Sequence, residues 1–215
     1  MASRPVNSPH ILPPQQKRSR AALSKILRAA EQLLRRKGID GFSMAGVAKV
    51  AGLPVGNIYR RFRGKDELLL AIKEDMVRRI ETAIISHLAD KKFSSIENFV
   101  HSFTEASIHA ISIDEKLNRV LLGRNWAGHK YIDEIEAAGH MRVFSKYRAT
   151  LLPLLGKESK ARGELLARVS FNILATAVTG KCNGGNPILD ALKWKNLGLE
   201  FSSVTIAYLK SHPRK

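Results

Sequence analysis

The sequence predicts an all-α protein, with a module of short helices at the N-terminus and a larger helical domain after it. Three observations predict this. Apolar residues recur at i, i+3, i+4 and i+7 through most of the chain beyond residue 20, which is the pattern of amphipathic helices. No stretch alternates apolar and polar residues over a useful strand length. Positive charge is denser in the first third: net +9 over residues 1–75, against net +8 over the longer stretch 76–215.

Composition bounds the function classes. The 215 residues carry 36 Lys and Arg against 19 Asp and Glu, a formal net charge of +17. Such an excess favours an anionic partner: nucleic acid, acidic lipid or an anionic ligand. Its concentration near the N-terminus favours nucleic acid contacted by the first module. Hydrophobic residues at 44% and charged residues at 26% fit a globular chain. The single cysteine, Cys182, rules out an intrachain disulfide and fits a reducing compartment. No apolar run reaches the roughly 20 residues of a membrane span, and the first residues lack a signal-type apolar core. A cytoplasmic location without membrane association is the expectation.

The elements follow in order. Residues 1–16 hold Pro5, Pro9, Pro13 and Pro14 and little periodicity, as expected of a disordered arm. Leu23, Ile26, Leu27, Ala30, Leu33 and Leu34 form the apolar stripe of a first helix. Ser19 is its expected N-cap, and Gly38 ends it after the cations Arg35, Arg36 and Lys37. A second, short helix spans about 43–51, with Ser43 as N-cap. Gly52 ends it in the left-handed conformation that glycine tolerates. A third runs from about 54 to 61, with Pro54 in its first turn and Ile58 and Phe62 on the core side. Gly64 breaks the chain before Lys65, Asp66 and Glu67 open a long fourth helix. Further helices are expected at 95–111, 115–128, 131–155, 158–179 and 187–209, with KCNGGNP (181–187) as a loop.

The stretch AGLPVGNIYRRFRGKDELL (51–69) carries the function. A short helix, a glycine-centred turn and a second helix fall within residues 43–62. This is the helix-turn-helix layout, in which the second helix enters the major groove. That groove is about 12 Å wide and admits one helix. The outward positions of the second helix are Val55, Gly56, Asn57, Tyr59, Arg60 and Arg61. Asn bonds adenine bidentately, Arg bonds guanine and a Tyr hydroxyl reaches phosphate. Gly56 leaves room for close approach of the backbone. A phosphate-binding P-loop would need a preceding strand and Ser or Thr after Gly-Lys, whereas Asp66 follows Gly64-Lys65. A helical hairpin that merely packs remains the structural alternative.

The stretch from Lys25 to Ile72 resembles the DNA-binding domain of the tetracycline-repressor (TetR) family of bacterial transcriptional regulators. The resemblance rests on ILRAAEQLLRRKGIDGFSM (26–44) and VAKVAGLPVGNIYRRFRGKDELL (47–69). Within these lie Gly41-Phe42-Ser43, Ala51-Gly52, the Gly56…Tyr59…Phe62 spacing and Lys65…Leu68. The resemblance implies that Ser43 and Tyr59 contact phosphates. Val55, Asn57 and Arg60 would face base edges, and Lys65 would hold a phosphate. Pro54 departs from a serine common in the family, so any contact through that hydroxyl is lost. Lys17, Arg18 and Arg20 are either a basic arm reaching the DNA backbone or minor groove or a solvated charge run.

The domains are thus expected at 1–16 (arm), 17–75 (helix-turn-helix) and 76–215. For the last, the resemblance implies a helical effector-binding and dimerisation domain. Residues 165–178 are apolar almost all round, as in a helix buried on several sides. Leu189, Leu192, Leu197, Phe201, Val204 and Tyr208 give the last helix an apolar face. The two helices could pair with a second copy as a four-helix bundle or close an intramolecular core. Phe103, Trp126, Tyr131, His140, Met141 and Phe144 are the candidate lining of a pocket for a small-molecule effector.

His101, Glu105 and His109 stand at i, i+4 and i+8. That spacing suits metal ligands, but the face lies opposite the apolar stripe, so no metal is expected. No catalytic motif is present and no cofactor is implied. The sequence therefore predicts a DNA-binding transcriptional regulator that is not an enzyme, most simply a ligand-responsive repressor on a palindromic operator as a homodimer. The alternative is a helical dimeric small-molecule-binding protein without specific DNA reading.

Overall fold

A computed structural model describes residues 17–122, 130–156 and 158–211, with side chains from residue 21 onward. Ten helices occupy the described residues, and none of these residues forms a strand. The chain divides into two compact units, Met1–Val77 and Arg78–Lys215.

In the first unit, α1 (Lys17–Lys37) lies against α2 (Met44–Ala51), and α2 against α3 (Val55–Tyr59). The apolar stripe of α1 is inside: Ile26, Ala30 and Leu34 are fully buried. So are Val47 of α2, Ile58 of α3 and Phe62 just beyond it. The helix starts earlier than its cap signal suggested, so Ser19 falls within α1 and does not cap it. Gly38 and Gly52 both take positive φ, 64° and 59°. At Gly52 this left-handed turn directs the backbone N–H back to the carbonyls of Ala48 and Lys49, closing α2 before α3 begins.

The long helix α4 (Lys65–Ala89) gives its first half to the first unit and its second half to the second. The second unit then comprises α5 (Ile96–Ser112), α6 (Glu115–Leu122), α7 (Lys130–Leu155), α8 (Lys160–Asn183), α9 (Pro187–Asp190) and α10 (Trp194–Lys210). Its main core gathers Ile84 and Leu88 of α4 with Phe99 and Phe103 of α5. It adds Tyr147 and Leu151 of α7 and Leu166, Phe171 and Leu174 of α8. Ser95 and Ser159 cap α5 and α8, each accepting from the backbone N–H three residues on.

Two expectations need correction here. The segment 187–209 is two helices, because Ala191 to Lys193 interrupt it. And the expected loop 181–187 is half helix: α8 runs on through Asn183. Buried Lys181, in the part of α8 expected as loop, reaches across to α9. Its ammonium donates to the carbonyl oxygens of Leu189 (3.1 Å) and Asp190 (3.4 Å), at the end of α9, and lies 5.2 Å from the centre of the Trp194 ring. A cation at the carbonyl end of a helix turn is where the free backbone acceptors need one.

Candidate nucleic-acid interface and the second-unit core

The interface is built from the turn outward. Ser43 stands in extended conformation, and its Oγ accepts the Gly46 backbone N–H at 3.0 Å. The hydroxyl proton stays available to an outside acceptor. After Gly52, Pro54 occupies the position before α3, not its first turn as expected. It has no side-chain capping group, but its carbonyl accepts the Asn57 backbone N–H at 2.9 Å. Beyond α3 the Phe62 N–H returns to the Ile58 carbonyl at 3.0 Å, which carries the helical turn on to Phe62.

With Ile58 and Phe62 held inside, the other face is set. Val55 and Tyr59 are 42% and 53% exposed. Gly56 is exposed, and a Cβ built on it would meet nothing within 4 Å. Asn57 and Arg61 are half-buried and Arg60 is exposed. The Arg60 guanidinium donates from Nη2 to Asn57 Oδ1. Burial lowers the pKa of Arg61, and the adjacent positive charge of Arg60 lowers it further. An anion beside the pair relieves that repulsion.

Lys65 is placed less freely. Its Nζ donates to the Ile39 carbonyl at 2.8 Å and lies 6.0 Å from the Phe42 ring centre. Two of its three donors remain for a phosphate, but Lys65 also ties the start of α4 to the α1–α2 connection. Arg63, not among the expected site residues, is exposed beside this patch. The Glu67 carboxylate accepts its backbone N–H. Its signal in the sequence was only one more positive charge. The side chains of Lys17, Arg18 and Arg20 lie outside the described residues, as does the arm 1–16.

In the second unit, three of the expected pocket residues meet at one ring. His140, Phe144 and Phe103 contact Phe171 with ring centroids 5.3, 5.3 and 5.9 Å apart. Phe103 is buried core, and Tyr147 and Phe99 complete the cluster. The Tyr147 hydroxyl donates to Ser170 Oγ at 2.9 Å, and burial raises the phenol pKa. Tyr131 is half-buried, Met141 is 59% exposed and Trp126 lies outside the described residues. Phe171 and Tyr147 stand in the same cluster outside the expected lining; helical periodicity marks them as core, and core and pocket lining share one pattern.

His101, Glu105 and His109 are exposed on α5 and line a groove of about 650 Å³ between α5 and α10, together with His87, Trp194 and Lys195. Among the described residues, no three His, Cys, Asp or Glu side chains stand together closely enough to hold a metal. On the other side of the unit, α8 is not buried all round. Leu165, Val169 and Ile173 share its outer face with Arg168, Asn172 and Thr176. Val169, Ile173, Leu189 and Phe201 line a shallow depression of about 580 Å³, and Leu165 of α8, Ile188 of α9 and Val204 of α10 are exposed on the same three helices.

The short helix α3 after the Gly52 turn, followed directly by Arg60 and Arg61, has the layout of a helix-turn-helix motif. Residues 26–72 match the family described as bacterial regulatory proteins, tetR family. The match lies within the first unit, running from α1 through the glycine turn and α3 into α4, and it is to this family's model that the segment is similar.

Solved structures extend the likeness in fold to the whole chain. A protein from Mesorhizobium loti MAFF303099, described as a TetR-family transcriptional regulator, superposes with a TM-score of 0.71 at 19% identity, covering 91% of this chain and 98% of that one. The fatty acid degradation regulator FadR of Bacillus halodurans gives 0.64 at 17%, covering 90% and 97%. The SmeT–triclosan complex gives 0.62 at 22%, covering 87% and 90%. No curated protein sequence matches the chain. No described helix is long and apolar enough to cross a membrane.

Proposed function

We propose that the protein is a ligand-responsive transcriptional repressor that binds a palindromic operator in the cytoplasm as a homodimer. The observation that carries this is the outer face of α3. Val55, Tyr59 and Arg60 stand exposed on a helix whose opposite face is anchored by Ile58 and Phe62. Val55, Gly56, Asn57 and Arg60 face base edges, while Ser43, Tyr59, Arg61 and Lys65 serve phosphates, with Lys17, Arg18 and Arg20 extending the contact.

The partner for the outer face of α8 and α10 is a second copy. Apolar side chains covering two adjacent helices need a complementary surface, and an identical pair supplies one by two-fold symmetry. Two copies then read two half-sites. The effector enters the second unit against Phe103, His140 and Phe144, whose rings favour an apolar or aromatic small molecule. The SmeT–triclosan complex is consistent with such a ligand in this fold. The effector acts by binding one of two conformational populations better than the other.

The test is a fluorescence-anisotropy titration with duplex DNA across a series of salt concentrations. The account expects affinity to fall steeply with salt and Arg60→Ala to lose at least tenfold in affinity for its preferred duplex, within the roughly 1–3 kcal/mol of a bidentate base contact. Unchanged binding by Arg60→Ala overturns the assignment of this face.

A further inference from the structure

We infer that Asn57 and Arg60 read guanine as one unit, with Asn57 positioning the Arg60 guanidinium instead of reading adenine on its own. The inference rests on the DNA-binding reading above and specifies what that site recognises.

The two residues stand at i and i+3 on the outer face of α3, where side chains are neighbours. Arg60 Nη2 donates to Asn57 Oδ1. A neutral amide has one acceptor oxygen and one donor nitrogen. To read adenine, an asparagine turns its oxygen to the N6 amino group and its nitrogen to N7. Here a cation already occupies one of that oxygen's two lone pairs. An adenine amino group approaching it would meet the N–H groups and positive charge of Arg60, donor against donor.

What the pair offers outward is chiefly donors, the remaining N–H groups of Arg60 and the Nδ2 amide of Asn57, while the second lone pair of Oδ1 lies beside the positive charge of Arg60. Guanine is the base that presents two acceptors, O6 and N7, on its major-groove edge. A guanidinium fixed by a neighbouring oxygen also loses less side-chain freedom on binding. Asn57 is half-buried and its backbone N–H is bonded to Pro54, so the anchoring residue is itself held. Gly56 beside it adds no side chain to obstruct the approach.

The experiment is selection of binding sites from a randomised duplex pool by the full-length protein, repeated with Arg60→Ala, Asn57→Ala and Asn57→Asp. The wild type is expected to select one fixed guanine per half-site. Arg60→Ala should erase the preference there, roughly tenfold or more. Asn57→Ala should weaken the same guanine and relax no adenine elsewhere. Asn57→Asp keeps an oxygen for Arg60 but has no amide donor, so it should retain the guanine preference at lower overall affinity. Three results overturn the inference: no fixed guanine, a relaxed adenine with the guanine untouched in Asn57→Ala, or loss of the guanine in Asn57→Asp. Selection of no sequence by the wild type overturns the operator reading as well and is distinct from these.

Discussion

Gly52 and Gly56 lie four residues apart and do different work. Gly52 sits at φ 59°, so Gly52→Ala places a side chain in the left-handed region and should cost about 1–2 kcal/mol of stability, read by denaturant unfolding. Gly56 is helical and open, so Gly56→Ala should hold or gain stability by up to about 1 kcal/mol while weakening DNA binding. Unimpaired DNA binding would mean that this face does not approach the duplex. At Lys65 stability and affinity move together, because its bond to the Ile39 carbonyl makes it a fold residue too: Lys65→Met should lower both, read by denaturant unfolding and DNA titration. At Cys182, burial raises the thiol pKa to about 11, helped by the Glu115 carboxylate and opposed by Arg119. The neutral thiol is thus favoured in the fold. Its contribution is fully present below the unfolded value near 9 and is lost as pH rises through about 11. Alkylation at pH 8 should accordingly be slow until the protein is unfolded; rapid labelling of the native protein would contradict this placement.

The elements were legible where the local signal and the packing agree. Ser43 and Gly52 bracket α2 as their chemistry requires, and the stripes of α1 and α5 are buried as spaced. Legibility failed where a distant partner decides. The composition of KCNGGNP reads as loop, yet Lys181 and Cys182 are buried in α8. Lys181 ends α9 through bonds to residues eight and nine positions on, and no periodicity encodes that. Lys181→Met should cost about 1.5–3 kcal/mol, the range for hydrogen bonds to charged groups, measured as a shift in the unfolding midpoint. The wall of α8 was half read: its apolar content is visible in the sequence, but only the fold shows which side is left outward. The charged variant Val204→Glu on α10 should give a monomer by light scattering at micromolar concentration, and an unchanged dimer would place the interface elsewhere.

At the scale of the whole molecule, the division of labour follows from charge and surface. The first unit carries the denser positive charge and the exposed α3 face. The second carries the aromatic core and the outward apolar face of α8 and α10. The family resemblance was readable in residues 25–72, because the Gly52 turn, the Ser43 cap and the arginines that follow α3 each leave local marks. The effector was not, because an aromatic cluster around Phe171 looks the same in sequence whether it fills a core or lines a chamber. The central claim is that α3 reads base sequence. The most direct measurement compares the affinity of the purified protein for its selected duplex with that for a scrambled duplex of equal length and composition, at near-physiological salt. A two-fold-symmetric selected site, bound about a thousandfold or more tighter than the scrambled one, is expected. Equal affinity for the two duplexes would contradict it.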